Sequence, residues 1–216
     1  MTATFPTDPP AVAARPSSAE PEPRLAPPGA GLPLPELLVA RARFRLRRIL
    51  GTRDRFDADM RAARAAIAAL VAATSPADAG RRILIARPRG LEDSSRFWSV
   101  WMTLDHLRIV NEAIASVIRL LAAGRTPDRA ASTAAVKPSL DADAGVLAVY
   151  ERSCDAVLAA AASVADLRTA ARHPHPWFGP LDAHGWHALA GMHMRIHRVQ
   201  LERIRAGLAD AARASR

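Results

Sequence analysis

Three histidines, His106 and the pair His193 and His197, are the residues of this chain with the clearest potential for chemistry. Residues four positions apart lie on one face of a helix, so the side chains of His193 and His197 can reach the same atom. If His106 comes from a helix packed opposite, three imidazoles converge inside a bundle. Three imidazoles that hold a divalent metal leave a coordination position open, where water or a substrate atom could bind and be activated.

The neighbours of these histidines indicate that all three side chains point inward. The residues that share a helical face with them are mainly apolar. They are Met102, Thr103, Ile109, Val110, Ala113 and Val117 for His106, and Trp186, Leu189, Ala190, Gln200, Leu201 and Ile204 for the pair. A buried imidazole needs a partner for each nitrogen, and a metal supplies one. The alternative is a set of hydrogen-bonded core histidines that bind no metal.

Several other chemistries lack their motifs. Met194 stands where the general-base glutamate of a His-Glu-x-x-His zinc protease would be. Di-iron bundles need Glu-x-x-His on two helices, and the chain has no such motif. It also has no Gly-rich phosphate loop, so hydride transfer and nucleotide hydrolysis have no support. The lone cysteine, Cys154, has apolar neighbours at helical spacing, which predicts a small buried side chain.

From about Arg53 to Ala212 the chain resembles the DinB/YfiT-like family of four-helix-bundle metalloproteins. Three pieces in the same order carry this resemblance. They are Leu-Asp-His106-Leu, the stretch His-Pro-Trp-Phe-Gly-Pro-Leu at 175–181, and Trp186 followed by His193-xxx-His197-xx-Gln200. Many members of the family carry two adjacent histidines at the end of the last motif. Here Ile196 precedes His197, so an auxiliary histidine contact is missing.

The resemblance implies that His106, His193 and His197 bind one divalent metal ion, with Gln200 supporting the ligands. Neutral imidazoles suit several metals, and we expect zinc, nickel or iron. In the family, the loop at 175–181 lies close to a pocket, which makes His175 and Trp177 candidate pocket residues.

Two classes of function follow. Relatives by resemblance include transferases and isomerases that use low-molecular-weight thiols, which favours a metal-dependent thiol-S-transferase or hydrolase acting on a small thiol or another small substrate. The alternative is a non-catalytic helical bundle, with at most a structural metal, that acts as a binding or stress-related protein. A catalytic site keeps its fourth coordination position open. The helices that carry the three histidines offer no obvious fourth ligand.

Apolar residues at helical spacing, abundant alanine and a single tyrosine predict an all-α fold, and the resemblance implies a four-helix bundle with a long crossover connection. No alternation supports a sheet. A first helical segment is predicted from Pro35 to Leu50, with Asp93-Ser94-Ser95 as the cap of the second bundle helix. The four bundle helices are predicted at about 56–73, 96–123, 143–171 and 182–212. Long connections, such as the one at about 124–141, argue against a simple succession of hairpins.

The first 35 residues contain ten of the seventeen prolines, interleaved with Ala, Ser and Gly. Such a segment buries too little apolar surface to offset the entropy lost on ordering. We therefore expect a disordered tail at 1–35 and one bundle domain at 36–216.

The net charge of +9 is concentrated in part in five arginines at 41, 43, 45, 47 and 48. Their spacing wraps them around more than one helical face, which favours a solvated basic helix over a nucleic-acid or membrane surface. The alternative is an anionic partner such as nucleic acid or lipid. No signal peptide or membrane-spanning run occurs, so we expect a cytoplasmic protein without a membrane partner. Bundles of this size often pair through an outer helix face, and we expect a homodimer.

Other polar residues near the motifs receive more ordinary roles. His184 and His187, at the start of the last helix, are predicted to be surface or capping residues. Asp105, Glu112 and Asp155 are candidates for orienting the imidazoles through their second nitrogens, although Asp105 is adjacent to His106 in sequence and so faces away from it.

Overall fold

The computed structural model describes residues 22–215 and shows a mainly helical protein with two short β-ribbons. The helices are α1 (Leu34–Leu50), α2 (Arg53–Ala72), α3 (Pro76–Ala79), α4 (Val100–Ala122), α5 (Val146–Ala162) and α6 (Ala183–Ala214). The strands are β1 (Ile83–Leu84), β2 (Phe97–Trp98), β3 (His173–His175) and β4 (Gly179–Leu181), and each ribbon pairs two of them antiparallel. None of the helices in this part of the chain has both the length and the apolar character needed to cross a bilayer.

Four helices, α2, α4, α5 and α6, form the bundle. Helix α6 packs against both α2 and α4, and α4 packs against α5. Helices α2 and α4 are consecutive bundle helices along the chain, but they are not close neighbours in space. The connection between them therefore crosses one end of the bundle. This confirms the predicted four-helix bundle with a crossover, and it brings the helix of His106 beside the helix of His193 and His197.

The core consists of the apolar stripes that the sequence shows. Phe56, Met60 and Ile67 of α2 are buried, as are Leu104 and Ile118 of α4. Gly191 of α6 allows α2 to approach closely, because a Cβ at this position would lie 3.1 Å from the backbone nitrogen of Met60. The close approach fixes the position of α6 two residues before His193.

The N-terminus of α4 corrects the predicted cap. Asp93–Ser95 form a short 3₁₀ turn, β2 follows, and the hydroxyl of Ser99 then accepts a hydrogen bond from the backbone nitrogen of Met102 at 3.1 Å. Several residues that can cap a helix occur in succession here, so the sequence does not decide which of them does so. Strand β2 pairs with β1 through Trp98 and Ile83, which keeps the chain extended until Ser99. The two ribbons also correct the expectation that the chain has no sheet.

Helix α5 ends at Ala162, nine residues before its predicted end. Ser163 and Asp166 bond to the local backbone, which competes with helix continuation. The chain then turns to meet the start of α6, where the carbonyl of Leu167 accepts a hydrogen bond from the backbone nitrogen of His184 at 2.7 Å.

Residues 22–33 were predicted to belong to a disordered tail, but they form contacts with the domain. The backbone nitrogen of Ala26 donates to Asp93 at 2.8 Å, and that of Gly29 donates to Glu92 at 3.4 Å. Glu22 also forms an ion pair with Arg82. Leu34 and Pro35, also assigned to the tail, begin α1 instead, and residues 1–21 lie outside the described residues.

Candidate metal centre

The side chains of His106, His193 and His197 meet between α4 and α6. The Nε2 atom of His193 lies 3.1 Å from the Nε2 atom of His106 and 3.1 Å from that of His197. The three potential ligand atoms lie within 4.8 Å of one another. Among residues 22–215, no cysteine or carboxylate belongs to this group of three histidines. Helical spacing aligns His193 with His197, while the crossover supplies His106 from the opposite side.

Hydrogen bonds at the second ring nitrogens orient two of these imidazoles. The Nδ1–H of His106 donates to the backbone carbonyl of Val136 at 2.6 Å, and that of His197 donates to the side-chain oxygen of Gln200 at 2.6 Å. Gln200 in turn donates through its amide nitrogen to the carbonyl of Ser95 at 2.7 Å, which fixes the orientation of its amide. Both carbonyl-type oxygens can only accept, so each ring carries its proton on Nδ1 and directs the lone pair of Nε2 inward.

In this arrangement the three imidazoles have more nitrogen lone pairs than there are N–H groups to donate to them. The Nε2 atom of His193 is the only one of the three that can carry a proton, and its Nδ1 atom is buried without a partner among the described residues. If the proton is on Nε2, then Nδ1 is an unsatisfied acceptor; if it is on Nδ1, three lone pairs face one another. A cation among the three Nε2 atoms would bind all three Nε2 lone pairs, with the proton of His193 then on Nδ1.

Burial keeps the three rings neutral. It lowers the pKa of His106 to about 4, although the bond to Val136 acts in the opposite direction. The pKa values of His193 and His197 lie well below the ordinary value, because burial disfavours the imidazolium and the neighbouring histidines add repulsion. Neutral imidazole is the form that binds metals, so no proton has to be displaced from Nε2 of His106 or His197 at neutral pH.

Trp98 forms the apolar wall of the centre. Its ring is nearly parallel to that of His197, with centroids 6.1 Å apart and an interplanar angle of 7°, and it lies 5.1 Å from the ring of His106. The side chain of Trp98 is buried. A wall of this kind limits water around the histidines and strengthens electrostatic interactions among them.

The loop between α4 and α5 covers the centre and is held by an ion pair between the partly exposed Lys137 and the buried Glu92. Lys137 donates to the Glu92 carboxylate at 2.9 Å and to the hydroxyls of Ser94 and Ser95, and Thr133 donates to the same carboxylate at 2.8 Å. Burial raises the pKa of Glu92, but these hydrogen bonds outweigh it, so that the pKa lies below its usual value. The pair positions the neighbouring Val136 carbonyl that orients His106.

The β3–β4 ribbon borders the same region. His175 packs on Phe178 and Trp186, with ring centroids 5.0 and 5.6 Å apart, and it lies close enough to His193 to contribute to the lowered pKa of that ring. Trp177 is partly exposed, and its carbonyl accepts a hydrogen bond from Arg41 at 2.6 Å. His175 therefore lies on the side of His193, packed against Trp186, whereas Trp177 lies between the ribbon and α1.

Sequence reasoning missed some of the residues that support the centre and misplaced others. Glu92, Trp98, the Val136 carbonyl and Lys137 were not identified, although Lys137 is the single lysine of the chain. The three carboxylates considered as orienting groups lie elsewhere: Asp105 and Glu112 pair with Arg108, and Asp155 pairs with Arg64. The backbone of Ser139 also donates to Asp105, so this carboxylate holds the covering loop.

His184 and His187 are buried, which corrects their prediction as surface or capping residues. The ring of Phe56 lies against both imidazoles. The Nε2 atom of His184 donates to the backbone carbonyl of Arg48 at 3.1 Å, and that of His187 to Asp57 at 2.9 Å. These contacts tie α6 to α1 and α2, and packing of α1 over this end of α6 explains the burial.

The sequence matches no protein-family model, and it matches no curated protein. Among solved structures, the chain is similar to TT2238, described as a four-helix bundle protein, at 28% sequence identity and a TM-score of 0.50. The match covers 70% of this chain and 98% of that one. The similarity supports the four-helix-bundle assignment for the 70% of this chain that the match covers.

Proposed function

We propose that this protein is a DinB-like metalloprotein in which His106, His193 and His197 bind one divalent metal ion. The observation that carries the proposal is the convergence of three Nε2 atoms, two of which are held in the ligand tautomer by hydrogen bonds at Nδ1. The bundle topology and the similarity to TT2238 support the DinB-like assignment at the level of the fold.

The spacing of the three nitrogens fits a metal. Two nitrogens that each lie 2.0–2.1 Å from a tetrahedral zinc ion are about 3.3 Å apart. The observed separations of 3.1 Å from His193 to His106 and to His197 are close to this value. A donor set of three neutral imidazoles suits zinc, nickel and iron better than magnesium or calcium, which prefer oxygen ligands.

The reaction we propose is thiol-S-transfer or hydrolysis on a small substrate. A bound divalent cation would supply Lewis acidity, which lowers the pKa of a coordinated water or thiol. The chain contributes the three ligands and the hydrogen bonds that orient them. Trp98 excludes water on one side of the three histidines. Among the described residues, no fourth histidine, cysteine or carboxylate joins this group, which leaves a fourth coordination position without such a ligand. His175, beside His193, is available to contact a substrate at that position.

A structural role for the metal is the second candidate, and burial of the centre favours it. His106 and His197 are only 6% and 3% exposed, and the α4–α5 loop covers them. If the metal serves only the fold, thiols will not reach it. The two candidates therefore differ in a measurable property, which is access of a small ligand to the metal.

The first experiment is elemental analysis of the untagged protein, purified without chelators. We expect nearly one divalent metal ion per chain, and none in a variant with His106, His193 and His197 all changed to alanine. His175→Ala is the matched control, since it removes a neighbouring imidazole outside the proposed ligand set and is expected to retain metal. Absence of metal after incubation with zinc, nickel and iron would refute the proposal, and so would full retention by His193→Ala.

Access to the open position can be measured with the cobalt-substituted protein. Binding of a small thiol to cobalt is expected to produce a sulfur-to-metal charge-transfer absorption band. Its appearance on addition of 2-mercaptoethanol would support the enzyme, while an unchanged spectrum with metal retained would favour the structural role. The matched test is His175→Ala, which is expected to change thiol affinity while leaving metal content intact.

A further inference from the structure

Helix α1 is attached to the bundle by one side only. Phe44 is buried and packs on Phe178, with ring centroids 4.4 Å apart. On the same side, Arg47 pairs with Asp59 at 2.7 Å, and Arg48 lies 3.7 Å from Asp182. Arg41 donates to the Trp177 carbonyl at 2.6 Å. The arginines of α1 therefore do not form one uniform solvated set, because three of them contact the rest of the protein.

The opposite side of α1 presents an aliphatic stripe. The stripe consists of Leu38, Val39, Leu46, Ile49 and Leu50, which are 55%, 57%, 57%, 60% and 71% exposed. The spacing of three, four, seven and eight residues places them on one face of the helix, directly opposite Phe44. Single exposed aliphatic residues are ordinary, but a continuous stripe of five marks an interaction surface.

Cationic side chains flank this stripe. Arg43 and Arg45 are exposed, and on a helix they fall along the two edges of the aliphatic face. Within α1 the only acidic residue is Glu36, which is turned toward Arg87 and the backbone nitrogen of Gly90. The exposed face is therefore apolar at its centre and positive at its edges, with no carboxylate from its own helix.

We propose that α1 docks this protein on an anionic lipid surface, with the aliphatic stripe entering the interface and Arg43 and Arg45 contacting headgroup phosphates. An interfacial helix requires this combination of an apolar face and basic edges. The sequence-based expectation of no membrane partner assumed arginines on all sides, whereas Arg47 and Arg48 are turned inward. The proposal is independent of the metal centre.

The charge and the apolar character of this face favour anionic lipid over two other partners, a second copy of the chain and nucleic acid. In a symmetric contact between two copies, α1 would meet another α1, and arginines would face arginines without compensating carboxylates from that helix. Nucleic acid would satisfy the arginines but would leave the five aliphatic side chains without apolar partners. Anionic lipid satisfies both.

The test is co-sedimentation of the full chain with vesicles of phosphatidylcholine alone or mixed with phosphatidylglycerol. We expect binding to the mixed vesicles that weakens with added salt. Each arginine near an anionic surface strengthens binding about fivefold, so R43Q/R45Q is expected to weaken it about thirtyfold. L46Q/I49Q removes apolar contacts and is expected to abolish sedimentation. Leu140→Gln, at a residue that is 69% exposed in the α4–α5 loop, is the control and is expected to bind like the parent.

Three outcomes would overturn the proposal. One is failure of the parent chain to bind mixed vesicles. Another is equal binding by the parent and L46Q/I49Q, since the stripe would then have no role. The third is a dimer in analytical ultracentrifugation that L46Q/I49Q dissociates while no chain binds vesicles, which would assign the stripe to self-association. Circular dichroism of each variant establishes that the helices are intact, as expected for changes at exposed positions.

Discussion

The side-chain amide of Gln200 connects His197 to the backbone carbonyl of Ser95, accepting a hydrogen bond at one end and donating one at the other. Gln200 is fully buried, so both bonds are protected from water. The 3₁₀ turn that precedes α4 and His197 of α6 are thereby held as one unit. The orientation of the His197 ring therefore depends on the amide of Gln200.

Gln200→Ala is expected to weaken metal binding about 10–100-fold, the usual effect of losing a group that orients a ligand. The His197 ring would lose the acceptor that fixes its tautomer. Competition with a chromogenic chelator measures the affinity. His175→Ala serves as the control with unchanged affinity, and an unaltered affinity in Gln200→Ala would show that the amide has no part in positioning the ligand.

The sequence predicts those features of the centre that depend only on neighbouring residues, and it does not predict those that depend on the path of distant segments. His193 and His197 share a face because one helical turn separates them, and any helix at this position aligns them. The approach of His106 required the crossover, which the family resemblance implied. The Val136 carbonyl could not be predicted, because every residue has a carbonyl and only the path of the loop selects this one. His184 and His187 were misplaced for a similar reason, since α1 covers them only in the folded protein.

The Glu92–Lys137 pair offers a test of how the covering loop is held. Glu92 is 5% exposed, so Lys137→Met leaves a carboxylate buried without its cation and is expected to cost on the order of 3 kcal/mol of unfolding free energy. The double variant Glu92→Gln/Lys137→Met removes both charges and is expected to be more stable than Lys137→Met alone. Urea denaturation of the metal-free proteins measures these differences. A double variant less stable than Lys137→Met would mean that Glu92 stabilises the loop without the lysine.

The metal-free protein is expected to lose stability in mild acid because of its buried histidines. The pKa of His106 falls from 6.5 to about 4 on folding, so between these values the unfolded chain binds a proton that the folded chain does not. Stability therefore decreases as the pH falls through this window, by about 3 kcal/mol for His106. Urea denaturation at several pH values measures the slope. The slope is expected to be smaller in His106→Leu, and an identical slope in both proteins would contradict the assignment.

Residues 22–33 lie beside the loop that covers the centre and are expected to control access to the centre. Gly29 contacts Glu92, and a Cβ at Gly31 would come within 3.9 Å of Trp177, so the segment passes between the covering loop and the β3–β4 ribbon. A chain that begins at Leu34 loses these contacts and is expected to release metal to excess chelator about tenfold faster or more, because local opening no longer requires displacement of the segment. A chain that begins at Glu22 keeps the contacts and is the matched control, expected to release metal like the full chain. Equal rates in all three chains, with helical content unchanged, would show that metal leaves by another route.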